Sequence, residues 1–146
     1  MITKVGENMA EGYIDSVEKV SEFLSKMKSV LCSKDFDLDK DFDVLLGSEE
    51  GTTGYKNAAT MVELEFDKKD VCDVLVSLTE KDYCETVPDR KDPSLPPLYV
   101  FGNLINTKEM YIKVKIRDRA SKQVFCLSFH FAEFPIKHPY SKIEGA

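Results

Sequence analysis

The sequence is poor in the groupings on which much enzymatic chemistry depends. It holds two histidines, His130 and His138, in 146 residues. That is little material for a hydrolase triad, and Ser128 lies in no nucleophile-elbow pattern. Its four cysteines, Cys32, Cys72, Cys84 and Cys126, form no C-x-x-C pair. The spacing therefore lacks the close ligand pairs of a structural zinc site, and a disulfide framework belongs to shorter secreted chains; the cysteines read as buried thiols acting as small hydrophobes. There is no Gly-rich phosphate loop, dinucleotide fingerprint or internal repeat, and no metal or other cofactor is expected. No apolar run approaches the roughly 18 residues of a membrane span, and the start, MITKVGENMAEGYIDS, lacks the apolar centre of a signal peptide. A soluble, cytoplasmic protein is expected.

What is present suffices for one packed domain spanning 1–146. Hydrophobic residues make up 42% of the chain, nine Phe and six Tyr among them, which argues against disorder along most of its length. The net charge of −6 conceals an asymmetry. Residues 1–97 carry 12 Lys+Arg against 22 Asp+Glu, whereas residues 98–146 carry 8 against 4. An acidic total therefore leaves room for a local anion-binding face, because surface potential follows local charge.

The hydrophobic period divides the chain. After a flexible start at 1–13, apolar residues at Val17, Val20, Phe23, Leu24, Met27 and Leu31 recur at offsets of three and four, predicting a helix capped by Asp15 or Ser16. A short helix ending at Met61, Val62 and Leu64 is followed by another opened by Asp67, with Val71, Val74, Leu75 and Leu78 inward. Thr79 and Asp82 resemble a capping box that would start a last short helix through Tyr83 and Cys84. The stretch 14–86 thus reads as mainly helical, with an acidic insertion at 33–51. Four of the six prolines then fall within residues 87–98, which makes that stretch an extended connection. Beyond it the period becomes two. Leu98–Ile105, Glu109–Asp118 and Gln123–Phe131 read as three antiparallel strands with turns at Asn106-Thr107 and Arg119-Ala120-Ser121, followed by a tail at 132–146. The expected fold class is α+β, with N-terminal helices packed on one face of a small antiparallel sheet.

The middle strand divides into Met110, Ile112, Val114 and Ile116 on one face and Tyr111, Lys113, Lys115 and Arg117 on the other. If Phe125, Leu127 and Phe129 of the third strand share the core, Ser128 and His130 join the open face. A slip of one residue would reverse that assignment. Metal-free RNA cleavage needs a base for the 2′-hydroxyl, an acid for the leaving 5′-oxygen and positive charge on the phosphorane. His130 can exchange protons near neutral pH, Tyr111 can donate or stack, and Lys113 and Lys115 can supply charge. The alternative is a strand face that is merely solvated by its cations.

The runs SLTEKDYCETVPDRKDP, LYVFGNLINTKEMYIKVKI and FCLSFHFAEFPIKHPY, together with TTGYKNAATMVELEFDKKDVCDVLVSLT upstream, resemble the MqsR (motility quorum-sensing regulator) toxin family over about residues 52–140. The resemblance implies a RelE-like α+β fold, a ribosome-independent endoribonuclease acting on mRNA, and a cognate antitoxin as partner. It places Tyr111 at the family's catalytic tyrosine and Lys113 at the lysine two positions on. His130 stands where better-known members have lysine, while Glu85 and Gly102 fall near a family lysine and glutamine. On this reading Tyr111, His130 and Lys113 are catalytic, and Lys115, Arg117 and Tyr83 contact RNA. A non-catalytic member of the same fold that binds RNA or protein is the alternative.

In the acidic insertion, Asp39, Asp41, Asp43 and Glu50 match calcium-loop positions 1, 3, 5 and 12. Val44 stands where the sharp turn needs glycine, which disfavours an EF-hand. The segment reads instead as a solvated connection with Phe36, Leu38, Phe42 and Val44 packing, or as a screen lying against the basic face. Glu133 is placed either to orient His130 or to end the strand, and His138 reads as a surface tail residue.

Overall fold

A computed structural model describes residues 12–143. Its helices are α1 (Val17–Leu31), the single turn α2 (Leu38–Asp41), α3 (Thr53–Leu64) and α4 (Lys68–Ser77). The strands are β1 (Phe42–Val44), β2 (Tyr83–Val87), β3 (Leu98–Ile105), β4 (Lys108–Ile116) and β5 (Val124–Phe131). They form one mixed sheet in the order β1-β5-β4-β3-β2, and the fold is α+β. Of the expected flexible start, residues 1–11 lie outside the described residues; Tyr13 pairs with Thr86 through two backbone hydrogen bonds of 2.9 and 2.8 Å.

Local chemistry sets the helix ends. Ser16 caps α1, its hydroxyl accepting from the Lys19 amide at 3.2 Å. Asp67 and Asp70 form a reciprocal capping box at the start of α4. At the 3₁₀ turn Glu80–Asp82 the Asp82 carboxylate accepts from the Thr79 amide at 2.9 Å, the half of a capping box that fixes the turn's start. That turn ends where the last helix was expected to continue: Tyr83 and Cys84 open β2 instead, because Tyr, Thr and Val in YCETV suit a strand edge-paired to β3.

The predicted meander is present, joined at Asn106-Thr107 by a tight turn with φ of 53° and 67°. Two strands extend it. β2 adds antiparallel to β3, and β1, from the acidic insertion, adds parallel to β5 through Phe42↔Val124 and Val44↔Cys126. Phe42 and Val44 are buried while the acidic residues cap and pair locally: Asp37 accepts from the Asp39 and Lys40 amides, and Asp43 lies 3.9 Å from Lys122. Where β1 stops, Asn57 of α3 takes over the edge of β5. Its amide donates to the Leu45 and Leu127 carbonyls at 2.8 and 2.9 Å, and its oxygen accepts from the Phe129 amide at 2.8 Å. A side chain thus completes a backbone ladder.

Met110, Ile112, Val114 and Ile116 face the core as expected. Phe23 of α1 stacks on Tyr99 with centroids 4.1 Å apart and reaches Phe101, and each fully buried apolar side chain here contributes about 1.5–3 kcal/mol. The alternation of β5 holds only in part. Lys113 pairs with Ser128 but Val114 pairs with Cys126, so Leu127 is an extra residue in a β-bulge. Ser128 and His130 keep the expected side and Phe129 the core. Below the bulge the pattern inverts: Cys126 and Val124 are fully buried, whereas Phe125 and Leu127 line a groove on the open face.

Candidate functional site

Sheet register builds the site on the open face. Gly102, Tyr111 and His130 are paired across three strands in one row. Val100, Lys113 and Ser128 form the next. Tyr111 and His130 stack with ring centroids 5.5 Å apart and planes inclined by 27°, and the Lys113 ammonium lies 5.7 Å from the centre of the Tyr111 ring. Three of the expected residues therefore share a patch a few ångströms across, because two cross-strand neighbours and an i+2 residue on one strand must lie side by side.

The electrostatics of the patch follow from partial burial. His130 places Nδ1 3.0 Å from the Phe131 carbonyl oxygen, which can only accept. The neutral ring therefore carries its proton on Nδ1 and keeps the Nε2 lone pair for another partner. Burial, reinforced by the Glu85 carboxylate, pushes the Tyr111 hydroxyl up to about 12, so it remains a donor across the physiological range. Burial and then the neighbouring Arg90 charge lower Lys113 below an ordinary lysine, while Glu85 opposes the shift. Glu133 lies 2.9 Å from Lys56 and is held below the usual carboxylate range first by that hydrogen bond, with His130 a minor contributor.

Gly102 in this row has a close neighbour. A Cβ there would come within 2.7 Å of Ile136 Cδ1, so the chain after β5 crosses the sheet beside Tyr111. His138 is no loose tail residue: its ring nitrogens lie 3.2 Å from the Asp82 carbonyl and 3.0 Å from the Glu109 carboxylate.

The residues expected to contact RNA are placed differently. Tyr83 is fully buried, with its hydroxyl 2.6 Å from that of Thr86 and accepting from the Asp15 amide at 2.9 Å. It belongs to an aromatic cluster with Tyr99, Phe101 and Tyr140 and is out of reach of a surface ligand, because β2 turns its ring inward opposite Phe101. Lys115 is buried and bound to Asp89 at 2.8 Å, so its charge is already partnered. The guanidinium carbon of Arg117 lies over Phe125, 4.0 Å from the ring centre, and the guanidinium donates to the Lys122 carbonyl at 3.4 Å. Arg90 and Phe125 are additions that periodicity did not reveal. The signal for Arg90 was the basic Arg90-Lys91 pair inside the proline-rich stretch; for Phe125 there was none, because a bulge inverts its side.

Among the described residues no three His, Cys, Asp or Glu side chains converge as metal ligands, and no helix is long and apolar enough to cross a membrane.

The profile of a family described as motility quorum-sensing regulator, toxin of MqsA, matches residues 36–131, about two thirds of the chain. The chain belongs to the MqsR toxin family. It is thus a toxin of a toxin–antitoxin system, and the family implies an antitoxin as partner. The matched stretch begins within the acidic insertion and ends with β5, so β1 to β5 and the whole Tyr111–His130–Lys113 patch fall within the family's common region. Searches of curated proteins and of solved structures gave no match.

Proposed function

We propose that this MqsR-family toxin is a metal-independent endoribonuclease acting on mRNA in the cytoplasm. The carrying observation is the stacked Tyr111–His130 pair with Lys113 beside it on one open sheet face. In this reading His130 Nε2 takes the proton of a ribose 2′-hydroxyl as the 2′-oxygen attacks the adjoining phosphorus. The P–O5′ bond breaks, and Tyr111 gives its proton to the departing 5′-oxygen, leaving a 2′,3′-cyclic phosphate and a 5′-hydroxyl. The proton on His130 then returns to Tyr111 through solvent. Lys113 stabilises the charge that gathers on the phosphorane oxygens, and its partial burial makes that charge act through a medium less screening than water. Positioned acid–base groups of this kind contribute about 10²–10⁴-fold.

Glu85 favours a second reading. A carboxylate whose field reaches both Tyr111 and Lys113 offsets part of the positive charge, as suits a face that binds RNA or protein without cutting it. Induced expression of wild type and His130→Ala, with total RNA followed over time, decides between them. Wild-type cleavage that disappears in His130→Ala is expected. Equal cleavage by both removes His130 from the mechanism, and intact RNA under wild-type expression leaves the binding reading.

A further inference from the structure

Beside the Tyr111–His130–Lys113 patch lies a groove of about 740 Å³, within the roughly 300–1,000 Å³ typical of small-molecule sites. Its floor is the lower half of the open face, where the β5 bulge has turned Phe125 and Leu127 outward. Its wall is the proline-rich connection, held to the sheet by the Lys115–Asp89 pair. Two features define its chemistry. The guanidinium of Arg117 lies over the Phe125 ring, 4.0 Å from its centre, and is tethered by its bond to the Lys122 carbonyl, giving a cationic and partly apolar plate. Arg90, Lys91 and Lys113 add positive charge, whereas Asp89, already paired with Lys115, is the one carboxylate among the lining residues. In a chain of net charge −6, this concentrates cations around an aromatic plate.

We propose that this groove is a nucleobase subsite, in which the base of a nucleotide flanking the cleaved bond extends the Phe125–Arg117 stack. A flat, electron-rich ring attached to an anionic backbone satisfies both halves of the site: the base meets guanidinium and phenyl, and the phosphate meets the cations. Lys113 belongs to both the groove and the catalytic patch. The Lys115–Phe125 row lies two residues farther along β4, about 6.6–6.8 Å away, a step of the order of one extended nucleotide unit. The bulge at Leu127 is what permits this: with unbroken alternation Phe125 would be in the core and the open face would have no stacking plate. The inference deepens the endoribonuclease reading and rests on the same face being an RNA site.

The chain contains no tryptophan, so Phe125→Trp puts a single emitter in the groove while keeping an aromatic plate. This full-length variant is titrated with a single-stranded RNA made uncleavable by 2′-deoxy substitution, and with an abasic strand of equal length. Base-bearing strand is expected to quench the emission and abasic strand to leave it unchanged. Phe125→Ala is expected to bind the base-bearing strand about ten-fold more weakly with unchanged affinity for the abasic one. Arg117→Lys keeps the charge but loses the flat plate, and is expected to show the same selective loss without a change in fold by circular dichroism. Equal quenching by both strands, no quenching by either, or base-bearing affinity equal in wild type and both other variants overturns the proposal and leaves the groove to a protein segment. Quenching in a protein that cuts no RNA removes the nuclease reading and keeps the base subsite; cleavage without quenching does the reverse.

Discussion

Lys115 Nζ lies 2.8 Å from the Asp89 carboxylate, with the two side chains 8% and 17% exposed. The pair fastens the proline-rich connection to the sheet, so it shapes the groove as well as contributing stability. Removing one partner leaves the other charge poorly solvated. Asp89→Asn is expected to cost about 1–2 kcal/mol in urea denaturation, less than the ~3–5 kcal/mol of a fully enclosed pair because Asp89 keeps some water. The Lys115 hydrogen bond holds the Asp89 carboxyl below its ordinary value. Its contribution is thus complete above the unfolded carboxylate range and is lost as pH falls through the lower folded value. Asp89→Asn should therefore close the stability gap to wild type under acidic conditions; a gap that stays constant with pH would deny the pair that role.

Asn57 sits at the edge of β5 with all three of its amide bonds going to backbone groups. Asn57→Ala strands two carbonyls and one amide in the interior. A loss of about 2–4 kcal/mol by chemical denaturation is expected, since each stranded buried polar group costs about 1–3 kcal/mol and some will relax towards water. Asn57→Asp is expected to be no better, because a carboxylate cannot donate to the Leu45 and Leu127 carbonyls. Wild-type stability in either variant would mean that α3 does not cap the strand in this way.

How much of this was legible beforehand depended on whether one residue type could dominate its neighbourhood. The α1 stripe, the Asp67 cap and the inward set of β4 follow from periods and capping chemistry that act within a few residues, and they agree with the structure. The sheet's outer strands did not, because a three-residue strand such as Phe42–Val44 is defined by its partner on β5. Tyr111, Lys113 and His130 came together because both β4 and the upper half of β5 alternate cleanly. The outward side of Phe125 and the pairing of Lys115 were not readable: a single-residue bulge and a long-range ion pair leave no periodic mark.

His138 and Ile136 hold the chain beyond β5 against the site. The imidazole bridges the Asp82 carbonyl and the Glu109 carboxylate, and Ile136 lies over Gly102 in the Tyr111 row. His138→Ala is expected to raise amide hydrogen exchange across residues 132–140 while β4 stays protected. Gly102→Ala should loosen the same stretch by driving a methyl group into Ile136. Combination with Ile136→Ala should recover part of the lost protection, since the closest clash is with the Ile136 side chain, while the Met110 carbonyl 3.2 Å from the same Cβ keeps the rest. Equal exchange in wild type and His138→Ala would show that the Ile136 and Tyr140 contacts hold the segment without the imidazole.

Tyr111 and Lys113 make opposite predictions for the alkaline side of the rate profile. With its hydroxyl pushed up to about 12, Tyr111 stays protonated between pH 5 and 9 and imposes no alkaline fall in that interval. Lys113 is lowered by burial and by Arg90, so it sheds its charge before an ordinary lysine near 10.4 would. RNA cleavage should therefore decline at high pH through loss of the Lys113 charge. Lys113→Arg, which keeps its charge far higher, should move that decline upward even if the maximal rate falls. Tyr111→Phe preserves the stack on His130 but removes the proton. It should lower the single-turnover rate about 10²–10⁴-fold at every pH with little change in RNA affinity. A Tyr111→Phe protein that cuts at the wild-type rate would reduce the tyrosine to a stacking plate and pass the acid's task to Lys113. In that case Lys113→Arg should abolish cleavage rather than move the decline, because a guanidinium would supply the charge but not the proton.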